Sequence, residues 1–539
     1  MSAASLSSRR APAPALRRKA SPSPLVVRAG EEGVDGEVVG SSSSLPLVEE
    51  EEVIVAVVEE ERVPAPLSGA RLVPLLASVS IGLAVQFLVP RPSGVSAQGW
   101  SLLAIFLSTI AGLVLEPLPV GAWAFVAATV AVAARVLTFA QTFEAFTNDV
   151  IWLIVVSFFF ARGFEKTGLG SRVAMLFVRA FGRSTLGLAY GLAAAEALVA
   201  PAMPSTTARA GGIFMPIIDS LARASGSLPR DSSRRRLGAF LTQAQFQGSV
   251  NTSAAFLTAA AQSLLCVKLA SQMGVEVPAA WTTWFKAAAV PALVGGALTP
   301  LVLYAVFPPE VTATPDAPAE AAEALRAMGP MSRGERVMLA VMAGAVALWV
   351  AGDALGVSAV TTAMLGLSAL LLSGVLTWRD CISHAGAWDT LFWFAILVGM
   401  SGQLNRLGVV AHFAGAVGGA LEAARLAWPA SLALLSGAYY LLHYLFASQT
   451  AHVGALFAAF LAMMLAAGVP PLLATLVLGF LSNLFGSITH FGSGQAAVYY
   501  GSGYLSLQEV FAHGALITLL NALVWGVIGP VWWKTIGLF

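Results

Sequence analysis

The chain has 539 residues, of which 57% are hydrophobic and only 11% charged, with a mean hydropathy of +0.78. Soluble domains carry about 25% charged residues, so the composition excludes a soluble globular fold and describes an integral membrane protein. A net charge of +1 leaves no basic footprint for nucleic acid. The only two cysteines, Cys266 and Cys381, argue against a disulfide or a thiolate metal site.

Residues 1–30 are rich in Ser, Ala, Pro and Arg, and no Asp or Glu occurs before Glu31. This is the composition of an organelle transit peptide. Residues 31–70 read as a disordered acidic linker, because the apolar runs of "VEEEEVIVAVVEEER" are too short to span a bilayer. A first transmembrane helix is expected within 71–98. Further spans are expected near 100–116 and 120–139, then from Asp149 onward. The stretch bearing Arg172, Arg179 and Arg183 alternates apolar and basic residues in helical fashion and is expected at the membrane interface. A long segment from about 238 to 270 and a span near 283–307 follow. Residues 308–334 are the one sizeable polar break and read as a linker between two halves.

The second half repeats the first. "DVIWLIVVSFFFARGFEKTGLG" from Asp149 aligns without gaps with "DTLFWFAILVGMSGQLNRLGVV" from Asp389, reaching Gly168 and Gly408 at the same offset. "MPSTTARAGGIFMPI" from Met203 is matched by "FASQTAHVGALFAAF" from Phe446, pairing Ser205 with Ser448 and Thr207 with Thr450. A third pair is "QGSVNTS" from Gln247 and "FGSITHF" from Phe485. Five crossings are expected between the two hydroxyl motifs, which puts the repeats, 99–307 and 335–539, in opposite orientation. Inverted repeats with matching polar interruptions point to a secondary transporter.

Backbone amides in hydrocarbon must be hydrogen-bonded. Pro201 and Pro204 each remove a donor and break the helix, and Ser and Thr suit the N-cap of a new helix starting near Thr206. Each motif therefore reads as the tip of a re-entrant helical hairpin. Its helix start carries unpaired N–H groups and roughly half a positive charge, which makes an anion receptor. Two such tips and two broken spans suit a molecule with an anionic group at each end.

Arg209 and His452 occupy the same repeat position, and for Arg209 both substrate contact and structural pairing are open. His490, after Thr489, is a candidate donor to a carboxylate. Asn251 and Thr252 hold the matching place in the first half, as caps or ligands. Glu196, in the arm leading to the first tip, could accept a proton or an amino group, or be a satisfied structural carboxylate. Asp149 and Asp389 read as N-caps. No HExxH, nucleophile elbow or acidic metal box occurs, so neither enzyme chemistry, a metal nor a cofactor is expected. The alternatives are a sodium-coupled symporter, a channel, or an intramembrane hydrolase using Ser448 with His452.

At these motifs the sequence resembles the divalent anion/sodium symporter family. "PSTTARAGGIFMPII", "FLTAAAQSLLCVKLA", "HYLFASQTAHVGALFAAFLAM" and "SGQAAVYYGSGY" resemble its plastid-envelope dicarboxylate translocators, more the glutamate/malate than the 2-oxoglutarate/malate branch. The resemblance implies an all-α polytopic fold of eleven spans plus two re-entrant hairpins, working as an elevator in a homodimer. It implies exchange of malate for glutamate or 2-oxoglutarate across the inner chloroplast envelope. Carried over by position, the substrate residues are Ser205, Thr206 and Thr207 with Ser448, Gln449 and Thr450. Asn251, Thr252, Thr489 and His490 rank second. Thr206 and Gln449 stand where the broad family's signature has Asn, and this departure puts sodium coupling in doubt.

Overall fold

The computed structural model describes residues 69–539; the expected transit peptide and nearly all of the acidic linker lie outside the described residues. Within them the fold is helical, and the isolated bridge between Ser184 and Ala313 is the β contact found there. Six helices are long and apolar enough to cross a membrane. Two helix pairs reach that length together but are bent, by 53° at Asn148 and by 65° after Arg406. Apolar residues lie on both sides of the bundle. Phe160 and Trp284 are buried, whereas Leu372 is 89% and Leu293 74% exposed. An outer surface of this kind suits lipid.

The helix limits follow local chemistry. Ser96 caps Ala97–Leu115 by accepting from the Gly99 N–H. Asp149–Thr167 ends at Gly168, whose φ of +74° only glycine adopts without strain, and the chain turns the same way at Gly408, at +73°. The expectation that Asp149 and Asp389 are N-caps is corrected. Asn148 caps the first helix, accepting from the Val150 N–H. Asp389 lies inside Ala385–Arg406, because that helix starts earlier, at the His384 cap. Its carboxylate instead accepts from the Gly121 N–H, at the start of Val120–Ala133.

The segment 238–270, expected to break near Asn251 and Thr252, breaks further on. Gly238–Ala255 stops where Phe256 turns extended, and Ala261–Gln272 begins after Ala260. The later span breaks likewise between Pro471–Leu484 and Gly494–Gly501. These segments carry the polar interior: Gln243, Gln245, Gln247, Asn251, Gln262 and Asn483 are all buried.

The polar stretch 308–334 is ordered. It contains the helix Ala317–Ala327, which packs on the amphipathic Leu169–Phe181. Arg172 fixes this junction. Its guanidinium meets Glu335 through two bonds, of 2.5 and 3.2 Å, and donates to the carbonyls of Met328 and Gly329. Glu335 also completes the capping box of Arg333–Leu355 with Ser332. The Arg172–Glu335 pair, buried on both sides, thus ties the amphipathic helix to the start of Arg333–Leu355. Glu335→Gln is expected to cost about 3–5 kcal/mol, by leaving the buried guanidinium without its counter-charge. Thermal melts of the purified protein should show the loss.

Candidate functional site

Two hairpins bring polar tips into the interior. In the first, Thr185–Val199 continues through a 3₁₀ turn at Ala200–Ala202, the chain crosses Met203–Ser205, and helix resumes from Thr206 to Ala224 with a π-turn at Ala210–Phe214. Both arms begin and end on one side. The 308–334 segment joins their bases, with the Thr314 N–H donating to the Arg183 carbonyl and the Val311 N–H to the Arg236 carbonyl. In the second, Trp428–Leu442 ends in a 3₁₀ turn at His443–Leu445, and helix resumes over Gln449–Ala466.

The two tips are built alike. Ser205 Oγ accepts from the Ala208 N–H at 3.2 Å, and Ser448 Oγ accepts from the Ala451 N–H at 3.3 Å. Each serine thus caps a helix start and keeps its own O–H proton to donate. The N–H groups of Thr206 and Thr207, and of Gln449 and Thr450, head these helices without an intrahelical partner. Neither serine is sealed: Ser205, Thr206, Ser448 and Thr450 are half-buried and Thr207 is exposed.

A chain of side chains joins the tips. Thr206 Oγ1 donates to Gln495 Oε1 at 2.7 Å, and Gln495 Nε2 donates to Gln449 Oε1 at 3.4 Å. Gln449 Nε2 donates to the carbonyls of Ser482 and Asn483, the last turn of Pro471–Leu484. Asn483 then reaches the first broken span, accepting from Gln262 Nε2 at 3.0 Å and donating to Ser263 Oγ at 2.9 Å. Both tips and both breaks therefore converge on one polar centre. Gly494 must lack a side chain there, because a Cβ would collide with Thr207 Oγ1. Its helix is capped in the same manner as the tips, by Ser493 on the Ala496 N–H. Gln495, Asn483, Gln262 and Ser263 were missed by the sequence reasoning. The available signal was uncharged amides inside apolar runs.

Other expected ligands have different work. Arg209 is wholly buried and is a structural cation. It donates to Glu196 at 3.1 Å, to the tip carbonyl of Met203, to the Ala259 carbonyl in the first break, and to Ser253 Oγ. Glu196 accepts from Gln245 as well, so each of its carboxylate oxygens has a hydrogen-bond partner. Asn251 lies short of the break. The helix continues past it to Ala255, and its amide bonds Asn521 and Trp525 on the last span. Thr252, half-buried, shows no side-chain bond to either tip among the described residues. Thr489 is turned onto its own loop, accepting from the Gly492 N–H. His490 packs among the rings of Phe491, Tyr500 and Phe511 and does not join the tip network. His452 lies among Tyr439, His443, Phe446 and Phe485. Its ring makes no hydrogen bond to Ser448, so a serine–histidine pair is not formed.

A helical, polytopic membrane transport protein is the class this fold and site define. Residues 69–539 match the family described as the sodium:sulfate symporter transmembrane region, and the chain belongs to that family. It is 59% identical over 472 residues to the chloroplastic Dicarboxylate transporter 2 of Spinacia oleracea, covering 88% of this chain and 84% of that one. Identity to the chloroplastic Dicarboxylate transporter 1 of the same plant is 48% over 475 residues, covering 88% and 83%. To the putative malate transporter YflS of Bacillus subtilis it is 47% over 473 residues, covering 88% and 98%.

The contrast between Gln495 and Asn251 is measurable. Gln495→Leu should lower transport by at least ~10-fold in reconstituted vesicles. Asn251→Ala should cost about 1–3 kcal/mol of stability, through the unpaired indole and amide it leaves, with the KM for transport unchanged. Vesicle transport and thermal melts on both variants check this.

Proposed function

We propose that the chain is a multi-pass dicarboxylate antiporter of the chloroplast inner envelope, exchanging malate for glutamate or 2-oxoglutarate without sodium. The observation that carries this reading is the pair of serine-capped helix starts joined by the Thr206–Gln495–Gln449 chain. A dicarboxylate bridges two such ends, one carboxylate taking the N–H groups and hydroxyl of each tip. Its donors are neutral, so binding stays reversible. The printed names of the chloroplastic relatives support both the substrate class and the compartment. The relatives are named as transporters, which supports transport over bond chemistry.

Without substrate the tip donors have no partner, which disfavours movement of the empty carrier through the membrane. Obligate exchange follows. Sodium independence is supported by Arg209, whose fixed positive charge already holds the carbonyls of the first tip and first break. We further infer that residues 1–30 are a transit peptide, and that 99–307 and 335–539 are inverted repeats. The hairpins and broken spans would move together as an elevator within a homodimer. The matched glycine turns at Gly168 and Gly408 and the matched serine caps support the repeat.

Counter-exchange in proteoliposomes tests the reading. Malate uptake should require internal malate, glutamate or 2-oxoglutarate and be the same in sodium and in potassium. Uptake into empty vesicles driven by a sodium gradient would establish a symporter instead. Ser205→Ala and Ser448→Ala should each lower kcat/KM by about 10- to 100-fold, the worth of one hydrogen bond to a charged group.

A further inference from the structure

The amphipathic helix Leu169–Phe181 and the linker helix Ala317–Ala327 enclose a surface cleft of about 410 Å³, lined by Arg179, Ala322, Leu325, Arg326 and Gly329. Its walls are fixed from behind. Arg172, two turns before Arg179, is consumed by Glu335 and by the carbonyls of Met328 and Gly329. Arg179 and Arg326 are differently employed. Both are exposed, and among the described residues no carboxylate lies within ion-pair distance of either. Glu320 and Glu323 share the linker helix with Arg326 but do not line the cleft.

Two unpaired guanidinium groups over a small apolar floor fit a compact oxyanion. The setting selects its source. Leu176, one turn before Arg179, is 49% exposed, and Phe181, two residues after it, is 51% exposed. An amphipathic helix at the membrane interface turns such residues toward acyl chains. Basic pockets beside membrane helices hold lipid headgroups in the same way.

We propose that the Arg179–Arg326 cleft binds the headgroup of an anionic membrane lipid, with the acyl chains over Leu176 and Phe181. The bound lipid would bridge the amphipathic helix to the linker that ties the base of the first hairpin, and so stabilise that junction.

The test uses the full chain in neutral detergent with short-chain lipids. Dioctanoyl phosphatidylglycerol should raise Tm by at least ~2 °C, as expected of a ligand that binds only the folded state. The same concentration of dioctanoyl phosphatidylcholine or of inorganic phosphate should not. The shift should vanish in R179Q/R326Q. An equal shift from phosphatidylcholine or from phosphate alone, or a full shift in the double variant, would overturn the proposal. Should the double variant not fold, R179Q and R326Q are measured singly. Each should lose at least half of the shift, and a full shift in both overturns the site.

Discussion

The whole arrangement follows from one constraint: a helix interrupted inside hydrocarbon must have its loose backbone groups answered by the protein. This chain interrupts four times, at two tips and two breaks, and answers with its own polar side chains. Ser205, Ser448 and Ser493 each cap a helix start. Gln449 gathers the terminal carbonyls of Pro471–Leu484, and Arg209 gathers those of Met203 and Ala259. Gln247 of the first broken span likewise donates to the Ser487 carbonyl at the second break.

The division between neutral and charged groups is the second theme. Groups that face the tip centre are hydroxyls and amides. Three ion pairs stand apart from it: Arg209 with Glu196 behind the first tip, Arg172 with Glu335 at the linker, Arg234 with Glu509 at the basic loop. A buried cation beside the cargo would hold a dianion too firmly, whereas amide and hydroxyl donors attract it and let it go. The positive ends of the helices supply a diffuse field in place of a point charge.

The helix start at Thr206 was legible from the sequence, because proline breaks and Ser/Thr caps act within a few residues. What acts across the chain was not. Thr206 meets Gln495 from 289 positions away, and Asn251 meets Asn521 from 270. Local pattern assigned Asn251 to the first break, but the helix runs on to Ala255 and the backbone opens at Phe256. Asp389 looked like a cap for its own helix and caps another's. The polar stretch 308–334 read as a connector by composition, and its second task, fastening the mouth of the first hairpin, needed Thr314 and Val311 to be seen beside Arg183 and Arg236.

Arg209 and His452 share a register position yet leave the hairpins mechanically unlike. The first tip is riveted to its neighbouring break by a guanidinium that makes four hydrogen bonds. The second rests on rings packed edge-on and tilted around His452, with no ion pair among them. Glu196, Arg209, Gln245 and Ser253 consequently form a single heritable unit, since losing one member exposes the others' polarity to oil. Position 452 is bound instead by shape, to the four rings packed around it.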